Sequence, residues 1–460
     1  MAITTGIPVN ELRSRFRGAL ITPEDERYEA AAAVWNGSIR RRPALVARCT
    51  GTADVIAAVG FARRHDLLVA VRGGGHNIAG NATCDDGLVI DLSGLRTVRV
   101  DPVRRRAYVD PGCVWGDVDN ETQTFGLAVP GGIVSTTGVA GFTLGGGFGH
   151  LTRRFGFASD NLVGADVVTA DARFLHASAT ENEDLFWAIR GGGGNFGVVT
   201  AFEFRLHEAG PEVLGGLIFH PAERAPSLLR FLRDYLPSSS EELTVFTIMR
   251  KAPAAAFVPA QFHGQPVIAN LVVHSGDPTQ AERDLAPLRT FAEPLVDLVG
   301  RRPYTAVQAL TDASWAPGFE NYWKSDYVVG IPEGAIDVLT EHLATITSPL
   351  SDFKIAYLGG AAARLSDDSA LSHRNLCFLL NINTRWPLGM ASAAHKEWTR
   401  SLFEGMKPFS EGKVYVNFLM DEGQDRVRAA YGPEKYERLV AIKRRYDPDN
   451  VFRLNQNVKP

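Results

Sequence analysis

The residues best suited to chemistry stand together where an apolar segment ends. Leu68–Val71 is apolar and partly β-branched, which predicts a buried strand. It runs into Arg72, then Gly73, Gly74 and Gly75, then His76 and Asn77. Glycines let the backbone press against a ligand, and consecutive N–H groups form an anion site that suits a pyrophosphate. Arg72 would add charge there and His76 would be held beside the anion; the alternative is an ordinary glycine-rich turn with an incidental histidine.

Two further glycine clusters follow, at 138–149 and 190–197. The first leaves little side-chain bulk, as expected if a wide, flat ligand lies on the backbone; a tightly packed loop crossing is the alternative. In the second, Gly192-x-Gly194-x-x-Gly197 has the spacing of a dinucleotide fingerprint, which requires strand, turn and helix in that order. Here a helix is predicted before the glycines, over 183–189, and a strand after them, over 198–206. A Rossmann nicotinamide site is therefore rejected.

Composition narrows the class of function. The chain has 460 residues, of which 45% are hydrophobic and 22% charged, as in soluble globular proteins. Its net charge of -4 offers no basic excess for a nucleic-acid partner. The 4 cysteines show no CxxC spacing, so zinc and iron–sulfur sites are disfavoured and no metal site is predicted. Phosphate-binding GxxxxGK[ST] and zinc-binding HExxH motifs are absent from the sequence, which disfavours nucleotide or zinc-dependent hydrolysis.

The hydropathy pattern bears on where the protein works. Residues 1–17 are polar and lack the apolar core of a signal peptide. No apolar run approaches the ~20 residues that span a bilayer. We therefore expect a cytoplasmic protein without a membrane partner.

The elements that must position the glycine clusters change character near residue 208. Before it, a helix with Thr52 as N-cap lies between two strands, giving a β–α–β unit that ends at the glycine turn. After it, Gly210-Pro211 marks a boundary and strands alternate with amphipathic helices. This predicts an α+β protein whose second part is an antiparallel sheet with helices on one face. The strands predicted for that sheet are Leu214–His220, Leu243–Met249, Val267–His274, Lys354–Leu358 and Cys377–Asn383, and a further strand is predicted at Val414–Asn417.

Five motifs in a fixed order carry a family resemblance, and they are specific as a set. They are the run from Arg72 to Asn77, the glycines of 138–149, Gly194-Asn-Phe-Gly-Val-Val199, Tyr415-Val-Asn417 and Asn450-Val-Phe-Arg-Leu-Asn-Gln-Asn457. From about Ala44 to Lys459 the chain resembles the berberine-bridge-enzyme-like FAD-linked oxidases, within the vanillyl-alcohol-oxidase (PCMH-type) flavoproteins. The resemblance implies a two-part FAD-binding domain, residues 1–208 with 409–460 returning to it, and a substrate-binding cap domain, residues 209–408.

The resemblance also assigns the cofactor contacts. In the family, the FAD 8α-methyl group is bonded covalently to a histidine at the position of His76, and some members add a second link through a cysteine. Val134 stands at that cysteine position here, so a single link is expected. The resemblance places the backbone of Arg72 to Asn77 at the pyrophosphate, Gly138, Gly141, Asn417 and Asn455 at the flavin, and Val198 at the adenine.

Tyr415 is the expected catalytic residue. Family members with a tyrosine here use it as a base or to orient the substrate, and on an extended strand it would share a face with Asn417. A buried core aromatic is the alternative. Members of the 6-hydroxynicotine oxidase type lack this tyrosine, so the resemblance favours hydride transfer from a C–OH carbon to flavin, followed by reoxidation by O₂ to give H₂O₂. The expected substrate contacts, on or beside cap strands, are Tyr357, Asn381 and Trp386.

Several functions stay open at this point. The preferred substrate is a small organic, sugar-like or natural-product alcohol, and a monomer or homodimer is expected. A flavin amine oxidase acting on a C–N bond, a flavin dehydrogenase that avoids O₂ and a flavin-binding protein without turnover are the alternatives.

Overall fold

The computed structural model of the protein describes residues 7–364 and 367–460. The first six residues of the predicted segment 1–208, and residues 365–366 of the segment 209–408, lie outside the described residues. Within the described ranges, no helix has both the length and the apolar character needed to cross a bilayer. The α-helices are Val9–Arg13, Tyr28–Ala32, Thr52–Arg64, Trp115–Gln123, Val139–Leu144, Thr152–Phe155, Glu183–Ile189, Ala225–Tyr235, Pro278–Thr290, Tyr304–Gln308, Glu333–Ala344, Ala393–Met406, Gln424–Tyr431 and Pro433–Tyr446.

The glycine turn before His76 begins at the end of a small, mostly parallel sheet. Leu88–Asp91 lies between Leu45–Arg48 and Val69–Arg72 with parallel pairing on both sides, and Ala19–Ile21 pairs antiparallel with Leu45–Arg48. The helix Thr52–Arg64 joins Leu45–Arg48 to Val69–Arg72, which confirms the predicted β–α–β unit. The central strands are apolar and buried, as parallel strands covered on both faces must be.

The start of that connecting helix differs from the prediction that Thr52 caps it. Gly51 occupies the N-cap position and makes no side-chain cap bond. The buried carboxylate of Asp54, in the first turn, instead accepts the backbone N–H groups of Thr50 and Arg17, each at 2.8 Å. An acidic side chain in the first turn therefore binds the residue before the N-cap and fixes the N-terminal segment against the start of the helix.

A second, antiparallel sheet carries the third glycine cluster. Its strands, in order across the sheet, are Val98–Asp101, Arg106–Val109, Val198–Arg205, Leu162–Val168 and Phe174–Ser178. The helix Glu183–Ile189 precedes the glycines and the strand Val198–Arg205 follows them. This order confirms the reason for rejecting a Rossmann site. A separate two-stranded ribbon pairs Leu127–Ala128 with His207–Glu208, which follows the strand Val198–Arg205 along the chain.

A larger antiparallel sheet forms the second part of the protein, here called the cap sheet. In order its strands are Val296–Asp297, Glu212–Pro221, Pro266–His274, Leu243–Lys251, Asp352–Tyr357, Phe378–Trp386 and Glu320–Val328, with Gly300–Pro303 also paired to Glu212–Pro221. One apolar core joins one face of this sheet to its helices, and the other face packs against the glycine-rich loops. The α+β fold with helices on one face is therefore confirmed, whereas the domain limits at 208/209 and 408/409 stay predictions.

The cap strand Glu320–Val328 has no counterpart among the predicted strands because its sequence is polar. Lys324 Nζ lies 2.8 Å from a carboxylate oxygen of Glu422, and Asp326 pairs with Arg426 at 3.5 Å. These partners come from residues 409–460, here called the C-terminal segment. A charged strand is stable here because distant residues neutralise it, and no local sequence pattern reveals such partners.

A buried ion pair anchors the C-terminal segment beside the third glycine cluster. Lys443 and Asp447 are fully buried, and Nζ lies 2.5 Å from a carboxylate oxygen. Lys443 also donates to the carbonyl oxygens of Asn195 and Phe452. These bonds attach Asp447 and Phe452 to the backbone of the third glycine cluster, and removing one partner of such a buried pair costs about 3–5 kcal/mol.

Candidate functional site

A cavity of about 300 Å³ lies where the two smaller sheets, the cap sheet and the C-terminal segment meet. The glycine clusters contribute bare backbone to its lining, at Gly73, Gly74, Gly75, Gly138, Gly141, Gly145, Gly193, Gly194 and Gly197. The cap contributes mostly aromatic and apolar side chains, at Phe246, Trp315, Trp323, Lys354, Ala356, Leu379 and Asn381. The C-terminal segment adds polar groups at Tyr415, Asn417 and Asn455.

The glycines of this lining serve two different purposes. A Cβ atom added to Gly74 would lie 2.5 Å from the Cα of Gly138, so the first two clusters cross with backbone against backbone. A Cβ added to Gly141 or Gly194 would meet no atom within 4 Å. The loop-crossing reading therefore holds for Gly74 and Gly138, whereas at Gly141 and Gly194 the protein itself leaves the space open.

His76 is half-buried in the cavity lining with its ring stacked on Trp35. The ring centroids are 5.4 Å apart and the planes are inclined by 19°. Burial lowers the pKa of His76 to about 4, opposed weakly by a hydrogen bond with the Thr136 backbone. The imidazole is therefore neutral across the physiological range and retains a nitrogen lone pair for bonding.

Arg72 is the one residue of the predicted run from Arg72 to Asn77 that does not line the cavity. Gly73 to Asn77 line the cavity, but the Arg72 guanidinium pairs with the buried carboxylate of Asp91 at 3.0 Å and donates to the Ala33 carbonyl. The prediction that Arg72 adds charge beside the ligand is wrong, because a buried acid takes up its guanidinium. Binding of an anion in this loop is left to backbone N–H groups.

Tyr415 lies in the cavity with its hydroxyl group held from two sides. The Gly147 backbone N–H donates to the hydroxyl oxygen at 2.7 Å, and Asn417 Nδ2 donates to it at 3.0 Å. The strand predicted over 414–417 is wrong, since Val416–Phe418 forms a 3₁₀ turn that brings Asn417 back to the tyrosine. Phe148 and Phe418 pack edgewise on the Tyr415 ring, each at 5.2 Å between centroids, and fix its orientation.

The ionisation of Tyr415 follows from this setting. Burial raises its pKa above the ordinary value, although both hydrogen-bond donors act in the opposite direction. The neutral phenol has both lone pairs engaged, so it can only donate a further hydrogen bond. It can accept a proton from a ligand only as the phenolate, which the same two donors stabilise.

Three further residues of the predicted cofactor site lie in the cavity lining. Val198, Asn417 and Asn455 all contribute to it. Asn455 Nδ2 donates to the Phe452 carbonyl, while its buried Oδ1 has no hydrogen-bond partner among the described residues. Because buried polar atoms are nearly always hydrogen-bonded, this acceptor is available to an N–H donor of a ligand.

Strand alternation decides which predicted substrate contacts face the cavity. Asn381 lines it, and its buried Nδ2 has no partner within the described ranges. Tyr357 instead packs in the core between sheet and helices, with the Arg153 guanidinium 5.0 Å from its ring centroid. Trp386 also points to the helices, where it stacks on His395 at 5.0 Å. The predictions for Tyr357 and Trp386 are wrong because each occupies the opposite face of its strand.

Sequence reasoning missed Lys354, although the strand alternation that excludes Tyr357 from the cavity face could have identified it. Lys354 and Ala356 share the cavity face of the strand Asp352–Tyr357. Lys354 lies 3.3 Å from Asp352 and 4.3 Å above the Trp315 ring, and burial lowers its pKa. Lys354, the one cation in the described cap lining, therefore lies between the Asp352 carboxylate and the face of the Trp315 ring.

Comparison with known proteins identifies the family. Residues 43–178 match the model of an FAD-binding domain, and residues 414–459 match that of berberine and berberine-like proteins. Over 96% of this chain and 97% of the relative, the sequence is 32% identical to (R)-6-hydroxynicotine oxidase of Paenarthrobacter nicotinovorans. The chain belongs to the berberine-bridge-enzyme-like family of FAD-linked oxidoreductases.

A solved structure supports this assignment, and a second one shares the fold. The crystal structure of 6-hydroxy-D-nicotine oxidase from Arthrobacter nicotinovorans superposes on this berberine-bridge-like protein with a TM-score of 0.87, 31% identity and 99% coverage of both chains. A xylooligosaccharide oxidase from Myceliophthora thermophila has the same fold, with a TM-score of 0.86 at 22% identity, covering 98% of this chain and 99% of the other.

The cavity fits the family cofactor, FAD. Bare backbone at Gly141 and Gly194 leaves room for a wide, flat ring system, and the open Asn455 Oδ1 suits a ring N–H. The N–H groups of Gly73 to Gly75 suit a diphosphate. This berberine-bridge-like protein is thus an FAD-linked oxidoreductase whose own residues match the group.

Gly141→Ala tests whether the space beside the helix Val139–Leu144 belongs to the cofactor. The apoprotein should be more stable by up to about 1 kcal/mol, because alanine is favoured over glycine inside a helix. Flavin affinity should fall about tenfold or more, because overpacking costs about 1–3 kcal/mol. Thermal unfolding and FAD titration of riboflavin-depleted protein measure the two effects.

Gly300→Ala is the matched control for this change. Its added Cβ also meets no atom within 4 Å, but Gly300 lies outside the cavity lining. It should leave FAD affinity unchanged. Wild-type affinity in Gly141→Ala would show that the space is not used by the flavin.

Proposed function

We propose that this protein is an FAD oxidase that removes a hydride from a C–OH carbon of a small organic, sugar-like or natural-product substrate. The single observation that carries the proposal is the Tyr415 hydroxyl, fixed in the cavity by Gly147 and Asn417. Alcohol oxidation requires loss of the O–H proton as well as hydride, so a proton acceptor is needed within hydrogen-bond reach of the reacting oxygen.

FAD, when bound, supplies the acceptor for the hydride and passes the electrons to O₂, giving H₂O₂. We propose that His76 holds it covalently through the 8α position. The neutral imidazole supports this role, because only an uncharged ring nitrogen can form the bond. Val134 lines the cavity, and the described lining contains no cysteine, which supports a single link.

In this proposal Tyr415 removes the substrate proton, and residues of the cap position the substrate. As the phenolate, Tyr415 takes the substrate O–H proton; as the phenol, it donates a hydrogen bond that orients the oxygen. Asn381 offers its free Nδ2, and Lys354 a cation close to the aromatic wall of Trp315 and Trp323. These groups position a substrate that presents an aromatic or ring face together with a hydroxyl group.

Oxidation of a C–N bond is the second candidate. The observation in its favour is the similarity to (R)-6-hydroxynicotine oxidase over nearly the whole chain. A neutral Lys354, favoured by burial, would then be a more suitable proton acceptor than Tyr415, because it would have a free lone pair.

One assay separates these candidates. Air-equilibrated protein is offered benzylic and aliphatic alcohols, mono- and oligosaccharides and 6-hydroxynicotine, and H₂O₂ is measured together with anaerobic bleaching of the flavin. We expect at least one alcohol to bleach the flavin and to give H₂O₂ in air. Bleaching by 6-hydroxynicotine but by no alcohol supports the second candidate. Bleaching by dithionite and by no organic substrate supports a flavin-binding protein without turnover.

A further inference from the structure

Trp35 lies outside both segments that match family models, yet it contacts the loop that carries His76. Its backbone N–H donates to the Gly75 carbonyl at 3.1 Å, directly before the histidine, and its own carbonyl accepts the Gly318 N–H. Its indole Nε1 donates to the Trp315 carbonyl at 2.8 Å. The backbone of Trp35 is thus bonded both to the turn that carries His76 and to the cap, and its side chain is bonded to the cap.

The indole ring has a defined place beside the imidazole. It stacks on His76 at 5.4 Å and packs against Trp315 and Trp323 at 6.2 Å and 5.9 Å between centroids. Only 7% of Trp35 is exposed, so the face of the imidazole that it covers is closed to water. A stacked ring also restricts rotation about the histidine side-chain bonds.

We propose that Trp35 is a positioning residue for flavin attachment, which holds the His76 imidazole dry and in one orientation. The inference rests on the proposed covalent link. In that link a bond forms between an imidazole nitrogen and the 8α carbon. The nitrogen loses its proton and the carbon one hydrogen, and the two electrons pass to O₂, which leaves as H₂O₂. A ring that is free to rotate or to bind water reaches the carbon less often.

The charges around Trp35 do not explain the neutral histidine. The Arg385 guanidinium lies 5.4 Å from the Trp35 ring centroid, and Lys354 lies over Trp315 and is paired with Asp352. The influences on the pKa of His76 are burial, first, and the hydrogen bond with the Thr136 backbone. Removing the indole should therefore act mainly by admitting water.

The test follows covalent attachment over time in apoprotein from riboflavin-limited cells. After FAD is added, samples are precipitated with acid and the flavin retained by the chain is measured at about pH 5.5 and about pH 8. Wild type should attach flavin equally fast at both. Trp35→Met keeps an apolar side chain but has no ring and is smaller, so water can reach the imidazole. A return of the pKa of His76 towards 6.5 then leaves about one tenth of the imidazole neutral at the lower pH, and the rate should fall about tenfold there.

Two variants separate positioning from general damage. Trp35→Phe keeps a stacking ring and should keep the flat wild-type pH profile. Trp398→Met removes a tryptophan that is likewise 7% exposed with one Nε1 bond, to Thr345, but lies in the helix-side core; it should behave as wild type. If Trp35→Met does not fold, Trp35→Leu takes its place with the same expectation.

The outcomes are distinct. A wild-type rate and flat profile in the folded Met or Leu variant overturns the inference, and so does an equal loss in Trp398→Met. A wild type that retains no flavin after acid overturns the covalent part of the proposed function, and the inference with it. Retention by wild type with a sloping profile only in the variants that lack a ring at position 35 supports both.

Discussion

His76→Ala is expected to leave no flavin on the acid-precipitated chain, whereas nearly all of the flavin stays with the wild type. His76 is the imidazole in the cavity lining, it is neutral because burial lowers its pKa to about 4, and the described lining offers no cysteine as a substitute. The variant should still take up FAD reversibly, because the substitution leaves unchanged both Asn455 and the backbone N–H groups of Gly73 to Gly75, which we expect to hold the diphosphate. Intact mass and the visible colour of the denatured chain measure the result.

His207→Ala is the matched control. Burial also lowers the pKa of His207 to about 4, and its ring also stacks on an aromatic residue, Phe155, at 4.2 Å. His207 lies outside the cavity lining, so this variant should keep its flavin through acid. Retained flavin in His76→Ala would show that another residue carries the bond.

The parts of the site that sequence alone predicts are those held by backbone. The turn Gly73–Asn77 follows its strand directly, and the observed order of helix, glycines and strand at 183–205 is the order that the local sequence predicts. Such features depend on glycine and on apolar runs, whose effects do not require a distant partner. Arg72, at the start of the same loop, shows the limit of prediction from local sequence. Its partner Asp91 comes from a neighbouring strand, so the direction of the guanidinium could not be predicted.

Side-chain direction was the weaker part of the prediction. Residue type alone favours Tyr357, on the predicted strand Lys354–Leu358, and Trp386, three residues beyond the predicted strand Cys377–Asn383. The two-residue period of the observed strands instead places Lys354 and Asn381 on the cavity face. Trp35 could not have been found in this way. Its contacts with Gly75, Trp315 and Gly318 exist only after the cap and the turn Gly73–Asn77 have come together.

Tyr415→Phe is expected to lower the rate of alcohol oxidation by about 10²–10⁴-fold while leaving the flavin in place, since general acid–base groups contribute about that much. Burial places the pKa of Tyr415 above its ordinary value, and a base acts when deprotonated. The wild-type rate should therefore rise with pH, without reaching a plateau below about pH 10, and the variant should lose this rise. The Gly147 N–H loses its acceptor, so stability should also fall by about 1–3 kcal/mol. Anaerobic flavin reduction across pH and thermal unfolding measure both effects.

Tyr357→Phe removes the same atom from a tyrosine on the opposite face of the cap sheet, beneath Arg153. It should oxidise the alcohol at nearly the wild-type rate with the wild-type pH profile, which separates loss of a hydroxyl group in the cavity from loss of one in the core. Should Tyr415→Phe reduce its flavin within about threefold of wild type and keep the rise with pH, the proton must leave by another group. Lys354 would then be the next candidate, because it lines the cavity and burial lowers its pKa, which favours the neutral amine that can accept a proton.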